Sequence, residues 1–241
     1  MNALGFALIA ALGNMVGAWA LVRHERRFLS VIEAAVAFGA GFMLSVAVLE
    51  VLPEVFVTSD NPGAAAGFVL LGYMAVHLAQ HVLTPHFHFG EETHAVSRTA
   101  GVSALLGLLL HTFFDGVAIA SGFLVSQPLG VLLFLAVFLH KLPEGVTMAS
   151  LMLAGGQGKG RALWSAAALG VATIAGVLLT QQAAPLALHG LALSAGVTIY
   201  VAASNLVPEF QAKAGWRMPL SFFGGAGAFF VTRALLLGLV R

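Results

Sequence analysis

Cysteine is absent from this chain of 241 residues. Neither a disulfide framework nor a thiolate metal site is therefore available, and any metal must be held by His, Asp, Glu, Asn, Gln or Met. Charge is nearly as scarce. Charged side chains make up 9% of the sequence and hydrophobic ones 59%, whereas an ordinary soluble domain carries roughly 25% charge. With a mean hydropathy of +0.96 the chain belongs in a lipid bilayer. The net charge is +1, and its scattered cations make no concentrated basic face for nucleic acid. No H-E-x-x-H sequence occurs, and Met1 to Gly5 lack a basic leader region. The first apolar segment therefore reads as a retained helix rather than a cleaved signal.

Apolar stretches of about 20 residues suffice to cross roughly 30 Å of hydrocarbon. Such stretches run over residues 3–22, 34–57, 63–83, 100–125, 128–153, 162–182, 186–208 and 218–240. The fold expected is a single all-α, polytopic membrane domain of eight transmembrane helices over residues 1–241. The segment 180–185 is the weakest of the breaks. Arg23, Arg26, Arg27, Arg98, Lys159, Arg161, Lys213 and Arg217 all fall on one side. The positive-inside rule makes that side cytoplasmic. Both termini are then extracytoplasmic and loop 84–98 is cytoplasmic, in a plasma or inner membrane.

Glu50-Val51-Leu52-Pro53-Glu54 on the second span matches Asn205-Leu206-Val207-Pro208-Glu209 on the seventh, at a constant offset of 155 residues. The two spans run in opposite directions. A match of this kind at opposite faces predicts an inverted repeat of helices one to three and six to eight around a central pair. A shared way of ending a helix with Pro-Glu is the alternative.

Ionisable groups inside hydrocarbon cost at least about 2.5 kcal/mol each, so those present usually function or pair. The fourth span carries His111-Thr112-Phe113-Phe114-Asp115-Gly116 and the fifth His140-Lys141-Leu142-Pro143-Glu144-Gly145. Each places a histidine and a carboxylate four residues apart, on one helical face. Two imidazoles and two carboxylates on adjacent helices can surround zinc, iron(II), cobalt or manganese. A hydrogen-bonded network without a ligand and a proton relay are the plainer readings of the same residues. Pro143 leaves the Leu139 carbonyl without its helical donor, which predicts a kink and a free oxygen for the pathway.

Glu50 and Glu54 lie near one mouth of such a path and Asn205 and Glu209 near the other, where acidic groups raise local cation concentration. Solvated helix ends are the alternative for Glu54 and Glu209. His77 and His81 share one face at the end of the third span and lead into His86, His88 and His94, with Glu91 and Glu92 nearby. These suit weak metal capture, unless the loop is merely polar. His24 and His189 read as surface residues, Glu33 as interfacial, and Arg233 as belonging to the outer part of the eighth span. Gly39, Gly41, Gly224, Gly225 and Gly227 allow close helix packing, within one protomer or across a homodimer.

The paired motifs, the two Pro-Glu helix ends, the eight spans and the His-bearing loop resemble the ZIP family, the Zrt- and Irt-like zinc and iron transporters. The resemblance covers nearly the whole chain. It implies a divalent metal cargo moved toward the cytoplasm by alternating access, with no catalytic cofactor and no enzymatic step. Carried over, His111, Asp115, His140 and Glu144 match metal-ligand positions, and Met43 in Gly41-Phe42-Met43-Leu44 matches a thioether position. Three residues depart from the family pattern. Thr112 stands where Asn is usual, Phe114 where Pro is usual, and Asp115 where Glu is usual. Lys141 occupies a position where several relatives place a carboxylate for a second metal. An ammonium there repels a second cation and implies one metal per pore; alternatively it pairs with Asp115 or snorkels away. An intramembrane metal hydrolase and a proton- or sodium-coupled carrier of organic solutes are the rival functions.

Overall fold

A computed structural model of the chain describes residues 2–24, 29–82, 98–211 and 213–239. All regular structure among them is helical. We number the helices α1 (Ala3–His24), α2 (Leu29–Val46, continued through Ala47–Val51 and Leu52–Val57) and α3 (Pro62–Val82). They are followed by α4 (Arg98–Val125), α5 (Gln127–Ala154), α6 (Lys159–Gln182), α7 (Ala184–Tyr200, continued through Val201–Leu206 and Val207–Gln211) and α8 (Arg217–Leu239). These eight described helices are long and apolar enough to cross a membrane. The break between α6 and α7 narrows to Ala183 alone, whose extended backbone ends one helix and caps the next. Ser126 caps α5 by accepting a hydrogen bond from the Leu129 amide at 3.3 Å, with Pro128 in the first turn. Such a cap satisfies an amide that helical pairing leaves open.

Packing divides the helices into two groups. α1, α4, α5 and α6 pack on one another, while α2 pairs with α8 and α3 with α7. The groups meet where α2 lies along α5 and α7 along α4. Exchanging helices one to three with six to eight, and four with five, maps α1–α6 and α4–α5 onto themselves and each of the other contacts onto another. The inverted repeat is thus written in the packing as well as in the Pro-Glu match.

Glycines set the closest approaches, because without a hydrophobic drive between helices, tight backbone contact carries membrane packing. Gly17 and Gly145 bring α1 and α5 together, Gly116 and Gly176 bring α4 and α6, Gly41 and Gly225 bring α2 and α8, and Gly72 and Gly196 bring α3 and α7. At each of the eight, an added Cβ would collide with a backbone carbonyl of the partner helix. Gly41 and Gly196 stand at the same 155-residue offset as the Pro-Glu motifs. Of the other glycines expected to pack closely, Gly39 and Gly224 have only ordinary contacts and Gly227 faces open space.

Both motif helices widen into a π-helical turn just before their proline, at Ala47–Val51 in α2 and Val201–Leu206 in α7. A proline has no N–H to donate and its ring crowds the preceding turn, and one extra residue in that turn relieves the clash. α5 meets its own Pro143 differently and continues as one α-helix through it. The Leu139 carbonyl freed there lies against Gly39 of α2. α5 is the most enclosed of these spans and α8 the least. The span that carries His140 and Glu144 is therefore the most enclosed of the eight.

Candidate metal centre

α4 and α5 cross so that their paired motifs face each other. His111, Asp115, His140 and Glu144 are all buried. One ligand atom each from His111, Asp115 and His140 lies within 4.8 Å of the others. Asp115 is the hub. Its Oδ2 stands 3.3 Å from His111 Nε2 and 3.3 Å from His140 Nε2. The imidazole rings lie 5.5 Å apart between centroids, inclined by 27°.

The two histidines are held differently. His140 Nδ1 lies 2.9 Å from the Ala136 carbonyl oxygen, to which only a protonated nitrogen can donate. With the proton on Nδ1, Nε2 is the nitrogen that faces Asp115 Oδ2 and would bind a metal. His111 Nδ1 has no hydrogen-bond partner, its Nε2 has only the 3.3 Å approach to Asp115 Oδ2, and Glu144 Oε1 is buried and unpartnered. Orphaned buried polar atoms are uncommon, and a bound ion or water is one way to satisfy them. These three lie beside a narrow cleft lined by His111, His140, Pro143, Glu144, Thr147 and Asn205.

Lys141 is fully buried and settles the question of its own direction. Its stem turns toward α4, and Nζ donates to Asp115 Oδ2 at 2.6 Å and to Glu144 Oε2 at 2.7 Å. Snorkelling to a membrane surface is thereby overturned: two carboxylates within reach outweigh a distant interface. Counted as ionised carboxylates, an ammonium and neutral imidazoles, the cluster retains one negative charge. Thr112 makes no contribution to it, since its hydroxyl donates to the Leu108 and Leu109 carbonyls of its own helix at 2.8 and 3.1 Å.

Asn14 of α1 escaped the sequence reading. It is fully buried and belongs to this cluster. With its amide oriented to donate, Nδ2 lies 3.1 Å from Glu144 Oε2 and 2.5 Å from the Lys141 carbonyl oxygen. A lone Asn in an apolar run was the available signal, but no spacing tied it to either motif.

The remaining expected residues fall in several places. Met43 is fully buried in the apolar cluster that also contains Val46, Leu132, Ala136 and Phe229. Glu50 lies in the α2 π turn and is bound by Arg233 Nε of α8 at 2.5 Å. Glu54 takes part in the short helix that ends α2, where its carbonyl accepts from Thr58. Asn205 lines the cleft from the α7 π turn. Only the backbone of Glu209 is described. His77 and His81 stack at the end of α3 with centroids 4.2 Å apart, and the Tyr200 hydroxyl lies 3.4 Å from His81 Nδ1. His86, His88 and His94, with Glu91 and Glu92, lie outside the described residues, as does the side chain of His24. His189 stacks on Phe68 at 4.0 Å, and Glu33 forms an ion pair with Lys213.

Eight spanning helices around a buried histidine-carboxylate cluster define an integral membrane protein with a candidate metal centre. Comparison with known proteins then names its kin. Residues 90–232, more than half of the chain, match the model of the ZIP zinc transporter family. The zinc transporter GufA of Myxococcus xanthus is 34% identical over 161 residues, which are 62% of this chain and 63% of that protein. The chain therefore belongs to the ZIP family. The matched stretch spans less than two thirds of that relative's length.

Proposed function

We propose that the protein carries a divalent transition metal ion, zinc first among them, across the membrane by alternating access through the α4–α5 centre. The observation that carries this reading is the convergence of His111, Asp115 and His140 with the unpartnered Oε1 of Glu144 beside an open cleft. Nitrogen and carboxylate oxygen without thiolate suit zinc and equally iron(II), manganese or cobalt. Met43 is a candidate soft ligand, reached only if α2 shifts along α5.

The direction of the cleft gives the account its conformational state. From the metal centre it runs to Asn205, toward the end where α3 and α4 are joined. The opposite half is filled by apolar packing that includes Phe42, Val46, Val51 and Leu133. This supports an arrangement open to the side of loop 84–98, which the basic residues make cytoplasmic. Rocking of the α1/α4/α5/α6 group against the other would close it and open the Glu50 side. Release would lead past Asn205 and Glu209 toward His77, His81 and the loop histidines, which would capture metal weakly. Lys141 holds a fixed positive charge where a second ion would need a carboxylate, so the pore carries one metal at a time. No bond is made or broken in the cycle. The membrane is the plasma or inner membrane, with both termini outside, and a homodimer is compatible with its exposed spans.

Zinc uptake by the purified protein in sealed liposomes, with identification of the element, tests the reading. Uptake should be nearly abolished in His111→Ala and in Glu144→Ala while both proteins still insert, since each loses one ligand of a small set. Near-normal uptake and affinity in both variants would overturn it. Deleting residues 86–95 should leave flux in place, because that loop lies outside the membrane path.

A further inference from the structure

We propose that Asn14 is a positioning residue for the metal centre: together with Lys141 it holds one oxygen of Glu144, and so presents the other to the cargo. The inference rests on the transport reading above. An amide in the middle of an apolar helix is costly to bury unless its polar atoms find partners. Asn14 Nδ2 faces two acceptors, Glu144 Oε2 at 3.1 Å and the Lys141 carbonyl oxygen at 2.5 Å. Those two acceptors dictate which way the amide points. Lys141 Nζ donates to the same Oε2 at 2.7 Å. Two donors of the chain thus hold Oε2, while Oε1 is buried with none. A carboxylate fixed by one oxygen is a preorganised one-oxygen ligand.

The backbone makes this reach available. Gly145, next to the carboxylate, has no Cβ to collide with the Asn14 carbonyl, so α1 seats against α5 at this level. The repeat supplies an internal comparison, because Gly116 meets Thr173 of α6 as Gly145 meets Asn14. Thr173, however, donates its hydroxyl to the Leu169 carbonyl of its own helix at 3.3 Å. Asp115 takes its support from Lys141 instead. Amide support therefore acts on the Glu144 half of the site.

The test uses the full chain and Zn2+ as the probe. Equilibrium zinc affinity in detergent and the KM and maximal rate of uptake in liposomes are measured for Asn14→Leu, similar in size but without a donor, and for Thr173→Val as control. Asn14→Leu should weaken affinity and raise KM roughly tenfold, as losing a hydrogen bond to a charged group implies, with the maximal rate little changed. Thr173→Val should match the wild type. In a Glu144→Gln background, Asn14→Leu should add less than about a twofold further loss, since residues acting through one another are not additive. Wild-type affinity in Asn14→Leu, or losses that fully add, would overturn the proposal. If Asn14→Leu does not fold, the infrared difference spectrum of the wild type on zinc addition decides, with Glu144→Gln identifying the band. The wide splitting of a carboxylate bound by one oxygen supports the proposal, and the narrow splitting of a chelating carboxylate overturns it. Failure of the wild type to bind zinc would overturn the transport reading and this inference together, whereas zinc binding with unchanged Asn14→Leu affinity would overturn the inference alone.

Discussion

The π turns of α2 and α7 share a motif, a proline and a local geometry, yet they sit in different surroundings. In α2, Glu50 is tied to Arg233 of α8, and the other end of the same helix pair is clasped by Glu33 with Lys213 and by Arg217 on the Ser30 carbonyl at 2.9 Å. In α7, Asn205 faces the open cleft, and α3 reaches this helix through neutral groups, Tyr73 to Ser204 at 3.2 Å and Tyr200 to His81. The lesson is that an inverted repeat fixes where two helices approach but leaves to the side chains which approach is locked and which is open. Ion pairs tie one arm at both ends, whereas hydroxyl and imidazole contacts leave the other beside the cleft.

The largest effect expected concerns what the two arms have in common. Gly41→Val and Gly196→Val should each lower thermal stability sharply, because forcing a side chain into close backbone contact costs about 1–3 kcal/mol or more. Gly227→Val, facing open space, should leave the melting temperature unchanged. Tolerance of one of the paired substitutions and not the other would show that the arms are packed differently. A smaller effect tests where they diverge. Asn205→Leu should slow zinc uptake roughly three- to tenfold, the size of one lost polar interaction on the path, and Glu50→Gln should slow it less while the cleft stays open at the Asn205 side. The smallest is the ion pair itself. Arg233 and Glu50 have side chains 45% and 21% exposed, so a double-mutant cycle should give a coupling of about 0–1 kcal/mol, as at other exposed pairs. Coupling well above that range would make the Glu50 arm a stabilising lock instead of a charge cover.

Much of the fold was legible in the sequence, since eight apolar runs leave eight spans as the economical arrangement and a five-residue match announced the repeat. The two histidine-carboxylate pairs were legible because a period of four residues is a helical property that needs no neighbour. Contacts between helices were not. The eight close-packing glycines are indistinguishable in the sequence from Gly227, because what decides them is which helix lies opposite. The π turns were hidden because one extra residue in a turn leaves the apolar pattern unchanged. Lys141 could not be aimed from its helical angle, as its long stem reaches either the pore or the interface. Asn14 was invisible for a related reason: its partners are carried by a helix about 130 positions away.

The central claim is that a cargo metal binds two imidazoles and carboxylate oxygen at the crossing of α4 and α5. Zinc-edge X-ray absorption on the protein loaded with one equivalent of Zn2+ addresses it directly. The account predicts the outer-shell scattering of two imidazoles, with light-atom distances of about 2.0–2.1 Å, falling to one imidazole in His111→Ala and again in His140→Ala. A spectrum without imidazole scattering, or one unchanged in both variants, would contradict it.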